Sequence, residues 1–347
     1  MRVLVAMSGG VDSSVAAARL LAAGHDVVGV TMKLWGGESD TGCCSVSDVD
    51  DARRVAQQLG IAHHTWTFTD DFERHVVGPY VDAHRRGATP NPCVECNRHL
   101  KFDRLTGRAR AVGFDAVATG HHARIVRRPD GSRRLARGAD PAKDQSYVLY
   151  MLDQATLART LLPVGETSKA AVRAEAEALG LRTATKPDSQ DVCFVTAARG
   201  RQAFLGSRIP LRPGVVVDGT GRAVGEVPAV ELVTVGQRRG LGLAGGGEPR
   251  YAVAVDVPAA QVRVGRPTEL LAGSVTLDAV TWASGPVTGD VGAQCSAHGA
   301  PRRATVTPAA GERAVVRFAT PQRRVAVGQS VVLYEGDQVV GGGIVTE

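Results

Sequence analysis

The chain has 347 residues, 44% of them apolar and 22% charged, with 41 glycines and 17 prolines, a composition that suits two or three folded domains and excludes a disulfide-stapled miniprotein or a disordered polymer. No apolar run approaches the roughly 18 residues of a membrane span, and the start Met1–Met7 is too short for a signal-peptide core, so a cytoplasmic protein without membrane contact is expected. A formal charge of +6 and a pI near 9.2 suit a polyanionic partner without requiring one.

In chain order, residues 2–7 read as a buried strand, 13–23 as a helix stopped by Gly24, 26–32 as a second strand and 46–59 as a helix stopped by Gly60. Strands follow near 63–67 and at 116–119, and this alternation of strand and helix predicts a parallel sheet. Residues 124–137 predict a hairpin turning at Pro129-Asp130-Gly131, and 170–179 a helix ending at Gly180. Beyond about residue 205 the helical period is lost. Short Val-rich runs at 215–217, 251–257, 261–264, 275–277, 304–307, 314–318 and 331–334 predict two β-rich modules, the last a small antiparallel barrel. The expected division is an α/β catalytic domain over 1–204, a small central β domain over 205–270 and a C-terminal β-barrel over 271–347.

Charge is unevenly placed. The window 101–143 holds eleven basic and four acidic residues, which makes it the best electrostatic footprint; the Arg127–Arg137 run within it is by default a solvated hairpin, and reads as a nucleic-acid contact only where an independent argument demands a polyanionic partner. Arginine outnumbers lysine 36 to 5, so Lys33, Lys101, Lys143, Lys169 and Lys186 stand out as places where a compact ammonium is wanted.

The first strand runs into Ser8-Gly9-Gly10-Val11-Asp12-Ser13-Ser14 and a helix. Glycines allow a tight turn, the helix N-terminus offers amides to a phosphate, the hydroxyls of Ser8, Ser13 and Ser14 add donors, and Asp12 is suited to a magnesium ion. The loop lacks the lysine of a Walker A sequence. It resembles the pyrophosphate loop of enzymes that cleave ATP to AMP and pyrophosphate while adenylating an oxygen.

Six cysteines in such a chain argue for catalysis or metal before structural disulfides. Cys93 and Cys96 form a Cys-x-x-Cys pair in Thr89-Pro90-Asn91-Pro92-Cys93-Val94-Glu95-Cys96-Asn97, where two prolines predict a stiff extended loop; no second pair completes a zinc site. Cys193 follows the polar segment 186–191, in which Lys186 is a candidate cation for lowering its thiol pKa. Cys43, Cys44 and Cys295 read as inert. Of His121, His122, His63 and His64, only His121 earns a functional reading; the others fit capping or surface roles.

Taken together, MSGGVDSSVAA, TPNPCVECNRHLKF, ATGHHAR, AKDQSYVLY, KPDSQDVCFV, VGQRRGLGL and the terminal GGGIV resemble, over essentially all 347 residues, the bacterial tRNA-specific 2-thiouridylase family. The resemblance implies ATP-dependent replacement of the C2 oxygen of the wobble uridine by sulfur, with AMP and pyrophosphate released. It implies that Ala6, Met7, Ser8, Gly9, Gly10, Val11, Asp12, Ser13, Met32 and Gly120 hold ATP, that Cys193 carries a persulfide and that Cys96 is its partner thiol, closing a disulfide as sulfur leaves. Asn91, Pro92 and Cys93 would face the target base, with His121, Lys143, Asp144, Gln145, Arg317, Phe318 and Gln329 on tRNA. A persulfide-carrying donor such as a cysteine desulfurase would supply the sulfur. Many members carry Asp where this chain has Cys93, so the proton-transfer role stands open, and Cys93, Cys96 and Cys193 form an alternative ligand set for an iron–sulfur cluster. Two competing readings are an amidating ligase sharing the loop, which would need an ammonia source, and an RNA-binding protein with a relic nucleotide fold.

Overall fold

The computed structural model describes residues 1–35, 46–188, 192–195, 200–245 and 248–346. Cys43 and Cys44 lie outside these.

Strands β1 (Arg2–Ala6), β2 (Asp26–Lys33), β3 (Ala62–Thr67), β4 (Ala116–Thr119) and β7 (Thr160–Leu161) form a parallel sheet in the order β3-β2-β1-β4-β7. Strand order reverses between β1 and β4. In a doubly wound sheet ligands bind at such a switch point, outside the carboxyl ends of the strands. Helix α1 (Val11–Ala22) follows β1 and α2 (Val46–Leu59) precedes β3. β1 and β2 read as near-continuous apolar runs because both faces of the sheet are covered, by clusters built around Val3, Val5 and Val15 on one side and Leu4, Val30 and Phe72 on the other.

Gly24 and Gly60 end their helices with φ of 78° and 70°, the left-handed conformation that glycine adopts at least cost. The segment 69–111, for which no element was expected, is almost wholly helical, and includes two π-helical stretches, Glu73–Val77 and Cys96–Arg104. Of the Pro-containing stretch before Cys96, Pro92–Glu95 is helical rather than extended, while residues 89–91 lie outside any helix. Pro92 takes the first position of the helix Pro92–Glu95, where its missing N–H costs nothing, and the Asn91 side chain caps that helix by accepting from the Cys93 amide at 3.1 Å.

A four-stranded sheet contains β8 (Gly214–Val217), β9 (Ala223–Val227), β10 (Tyr251–Asp256) and β11 (Gln261–Gly265). After it, β12 (Leu271–Trp282), β13 (Gly289–Gln294), β14 (Arg302–Ala309), β15 (Arg313–Arg323), β16 (Ser330–Glu335) and β17 (Gln338–Val345) close into a barrel through a β12–β17 pairing.

The predicted hairpin is present as β5 (Ala123–Arg127) and β6 (Arg133–Arg137), but it is not solvated. It joins the barrel sheet through the Gln338–Ala136 pairing with β17. Arg124 pairs with Asp337, Arg134 with Glu335, and Arg137 with the buried Asp144, while the Arg137 guanidinium lies 3.9 Å from the Tyr334 ring centroid. Arg124, Arg134 and Arg137 therefore tie the hairpin to the barrel.

Candidate active site

Gly10 caps α1 without a side chain, so no side-chain oxygen occupies the first amides of the helix. Gly9 has φ of 71°, and a Cβ there would overlap the Asp48 carbonyl of α2. Gly120, just past β4, approaches α1 so closely that a Cβ would stand 2.5 Å from the Ser13 nitrogen. The hydroxyls divide: Ser8 is exposed, whereas Ser13 donates to the Gly10 carbonyl at 3.1 Å and Ser14 is fully buried and donates to the same carbonyl at 2.9 Å. Only Ser8 of the three still presents itself to solvent.

Asp12 occupies the first turn of α1. Its Oδ1 accepts from His122 Nε2 at 3.0 Å and its Oδ2 from Lys169 Nζ at 2.6 Å. Burial pushes its carboxyl up, but these two donors and their charges win and hold it below the usual carboxylate range. Lys169 is itself 9% exposed and also reaches Asp188 Oδ1 at 3.0 Å. Both of Asp12's oxygens already accept hydrogen bonds, so the carboxylate is not a vacant magnesium ligand, and among the described residues no three His, Cys, Asp or Glu side chains are grouped to hold a metal. The arrangement fits a magnesium ion carried by substrate phosphates, which is how that ion is commonly held. Cys93, Cys96 and Cys193, all described, do not form such a metal-holding group.

The Ala142–Tyr150 segment braces this site. The Gln145 side chain accepts from the His122 amide at 2.8 Å, and the Gln145 amide donates to the His122 carbonyl at 2.9 Å. Lys143 pairs with Asp188 at 2.7 Å, and Asp144 is turned inward onto Arg137 and Ser146. His121 and His122 are both buried, contrary to a surface reading. His121 Nδ1 meets Thr119 Oγ1 at 2.7 Å; burial, then the nearby Lys101 and His122, hold its pKa well below the ordinary value. His122 was not singled out from the sequence. Its signal is the paired His after β4, at the switch point facing Asp12.

Met32 is buried in the core, so contact with a nucleotide would fall to its main chain. Cys96, at the start of the π-helical stretch, and Cys193 are both half-buried and pack against one apolar cluster that includes Met32, Leu34 and Phe68 from the carboxyl ends of β2 and β3. Phe194 anchors the second thiol: its ring lies 5.7 Å from Phe72, 5.3 Å from Tyr80 and 5.0 Å from Phe204. π-helical turns recur at functional sites. Glu95 and His99 flank Cys96 and pair at 3.2 Å, and the His99 ring stacks on His75 with centroids 4.9 Å apart; neither His was expected here. Lys186 does not serve Cys193, because its Nζ is held by Asp48 at 2.6 Å and Asp51 at 2.7 Å on α2. In the barrel, Arg317 is exposed, Phe318 is half-buried on the barrel core, and the Gln329 amide reaches the Thr89 carbonyl.

Three family models match in succession: the tRNA methyl transferase HUP domain over residues 1–197, the tRNA methyl transferase PRC-barrel domain over 202–266 and the aminomethyltransferase beta-barrel domain over 273–345. The tRNA-specific 2-thiouridylase MnmA of Mycobacteroides abscessus is 48% identical, with 100% of this chain and 99% of that protein covered. Those of Roseiflexus castenholzii and Mycolicibacterium smegmatis are each 46% identical, over 99% and 100% of this chain and 98% and 99% of theirs.

Proposed function

The chain belongs to the tRNA-specific 2-thiouridylase family, and from that premise we propose that it replaces the C2 oxygen of a tRNA wobble uridine by sulfur at the expense of ATP. The observation that carries this reading is the placement of two thiols from distant segments, Cys96 and Cys193, on one apolar cluster at the strand ends where the uncapped α1 offers its amides to phosphate. Methyl transfer, which the family models' names suggest, calls for neither feature.

In this mechanism Ser8, Gly9, Gly10 and the first amides of α1 hold the ATP phosphates, with magnesium arriving on them. The C2 oxygen attacks the α-phosphorus, pyrophosphate departs with the electron pair of the broken bond, and uridine is left adenylated. Cys193 carries a persulfide supplied by a donor protein. The Cys96 thiolate attacks the Cys193 sulfur, a disulfide forms, and the released sulfide adds to C2 and expels AMP. A thiol reductant then reopens the disulfide. Persulfide chemistry is preferred to a cluster because the three cysteines do not group as ligands.

The proposed domain division lies at 204 and 270, with the hairpin β5–β6 of the first domain reaching across to the barrel sheet, and the barrel and central module present tRNA to the thiols. Among the described residues no helix is long and apolar enough to cross a membrane. The test is incubation with tRNA, ATP, magnesium and a persulfide donor. AMP, pyrophosphate and 2-thiouridine are expected, with Cys193→Ser abolishing the thionucleoside and Cys96→Ser leaving a persulfide on Cys193. ADP as the stoichiometric product, or normal thiolation by Cys193→Ser, overturns the reading.

A further inference from the structure

The loop from Ser8 to Ser14 contains no lysine, yet the fold delivers one to it from 157 positions away. Lys169 opens the helix Lys169–Ala178, whose N-terminus is fixed by the Ser168 side chain accepting from the Ala171 amide and by Asp140 accepting from the Lys169 amide at 2.9 Å. From this anchored start the side chain runs inward to Asp12, on the same turn of α1 whose amides lack a side-chain cap.

An ammonium this deeply buried is stable only with anions against it. Lys169 has two, Asp12 at 2.6 Å and Asp188 at 3.0 Å. Neither depends on Lys169 alone. Asp12 keeps His122 on its other oxygen, and Asp188 keeps Lys143 at 2.7 Å and Arg173 at 2.6 Å. Lys169 can therefore leave Asp12 without stranding a carboxylate, while the Asp140 bond to its amide keeps the base of the side chain in place. In a chain that writes 36 arginines and only 5 lysines, a flexible point charge stands where a planar, bidentate guanidinium would be locked onto one carboxylate.

We propose that Lys169 is the cation of the phosphate loop: in the ATP complex its ammonium turns from Asp12 to the oxygens of the β- and γ-phosphates, and it stabilises the charge that gathers on pyrophosphate as the bond to the α-phosphorus breaks. This rests on the ATP-cleaving reading above and adds to it the group that recognises the leaving pyrophosphate.

The test is ligand affinity, measured by calorimetry on the full chain without tRNA. A charge-assisted hydrogen bond is worth roughly one to two powers of ten in affinity. Lys169→Met should weaken ATP and inorganic pyrophosphate by about tenfold to a hundredfold while AMP, which lacks the contacted phosphates, changes less than about threefold. Lys169→Arg should recover part of the lost ATP affinity, because charge is restored. A general loosening of the site would instead weaken ATP and AMP together, and that result, or no change in either, overturns the assignment. Should the methionine chain fail to fold, brief amine acylation of the wild-type chain read by peptide mass spectrometry supplies the second measurement. ATP and pyrophosphate should protect Lys169 and AMP should not, and equal labelling under all three overturns it. A wild-type chain that binds neither ATP nor AMP overturns the ATP reading and the inference together; normal wild-type binding with parallel losses in the variant overturns the inference alone.

Discussion

Gln329 of the barrel donates its side-chain amide to the carbonyl of Thr89, four residues before Cys93. The Thr89 amide donates to the Val327 carbonyl at 2.8 Å, and the Thr89 hydroxyl lies 3.1 Å from that of Thr234 in the central module. All three polar groups of one residue are thus answered by the two modules that follow the catalytic domain. Gln329 thereby ties the barrel to the segment that leads into the helical stretch containing Cys93 and Cys96, and a positioning role is expected of it. Gln329→Ala leaves the Thr89 carbonyl short of a partner, a loss of about 0.5–1.5 kcal/mol. The expected outcome is a fall of up to about tenfold in the single-turnover thiolation rate, with tRNA affinity within about twofold of wild type. An affinity loss equal to the rate loss would assign Gln329 to RNA contact instead.

The arginines of the hairpin and those of the central module should behave oppositely. Arg137 pairs with Asp144, whose side chain is only 6% exposed, and also bonds Gln294 and covers the Tyr334 ring; Asp144 keeps the Gly138 and Ser146 amides and the Ser146 hydroxyl as donors, so Arg137→Ala removes the ion pair without stranding the carboxylate and should cost about 1–3 kcal/mol of stability. Arg238 and Arg239 are exposed in the loop after Thr234, which Gln237 braces through its bonds to the Thr234 amide and the Arg239 carbonyl. Their replacement by alanine should leave melting unchanged and flatten the slope of log affinity for tRNA against log salt by up to about one per lost phosphate contact. Filter binding at four or five salt concentrations on both variants checks this. A flattened slope for folded Arg137→Ala with none for the Arg238 and Arg239 variant would return the hairpin to the RNA interface.

Local patterns carried most of the α/β domain and much of the site. The strand–Gly-Gly–helix signature, the helix 46–59 and the strand 116–119 depend on short-range chemistry and stand where the sequence puts them. Strands β13 and β17 escaped notice because Gly289, Gly292 and Gly341–Gly343 interrupt the apolar alternation; those in β17 are small because neighbours crowd them, with a Cβ at Gly341 falling 2.7 Å from the Trp282 ring. What a sequence cannot display is long-range pairing. Lys169 meets Asp12, Lys186 meets Asp48 and Asp51, and Arg137 meets Gln294 only after the chain has folded, and these partners decide which basic residues remain open to a ligand.

Gly120 gives a steric test of the nucleotide site. A methyl group there would meet the Ser13 nitrogen at 2.5 Å and the Asp12 carbonyl carbon at 2.7 Å, both main-chain atoms that cannot step aside without moving α1. Gly120→Ala should therefore weaken ATP binding by at least about tenfold, because the helix start is displaced from the phosphates it would face. Affinity for tRNA, to which the barrel and central module also contribute in this reading, should stay within about threefold. Equal ATP affinity in calorimetry would show that the loop tolerates the shift and that Gly120 does not line the nucleotide.

His84 sets a pH limit at the joint between the catalytic domain and the central module. It is 1% exposed, Nδ1–H donates to the Glu231 carbonyl at 3.2 Å, and Nε2 is buried with no hydrogen-bond partner among the described residues. Burial pushes its pKa down, the Glu231 bond resists, and the charge of Arg201 adds to the lowering, leaving it at about 4 against an ordinary 6.5. The Tyr80 ring packs against it at 4.7 Å and brings no opposing charge near neutral pH. Because the folded pKa is the lower one, the unfolded chain binds the extra proton first as pH falls. Stability conferred by neutral His84 is complete above about pH 6.5 and is lost progressively down to about pH 4, by on the order of 3 kcal/mol from the size of the shift. Asparagine at 84 keeps a donor near Nδ1 and has nothing to titrate. Urea midpoints taken from pH 7 to pH 4 should fall more steeply for the wild-type chain than for His84→Asn, with the two curves separating below about pH 6.5. Parallel curves would mean that the joint admits water to Nε2 and that protonation there is harmless.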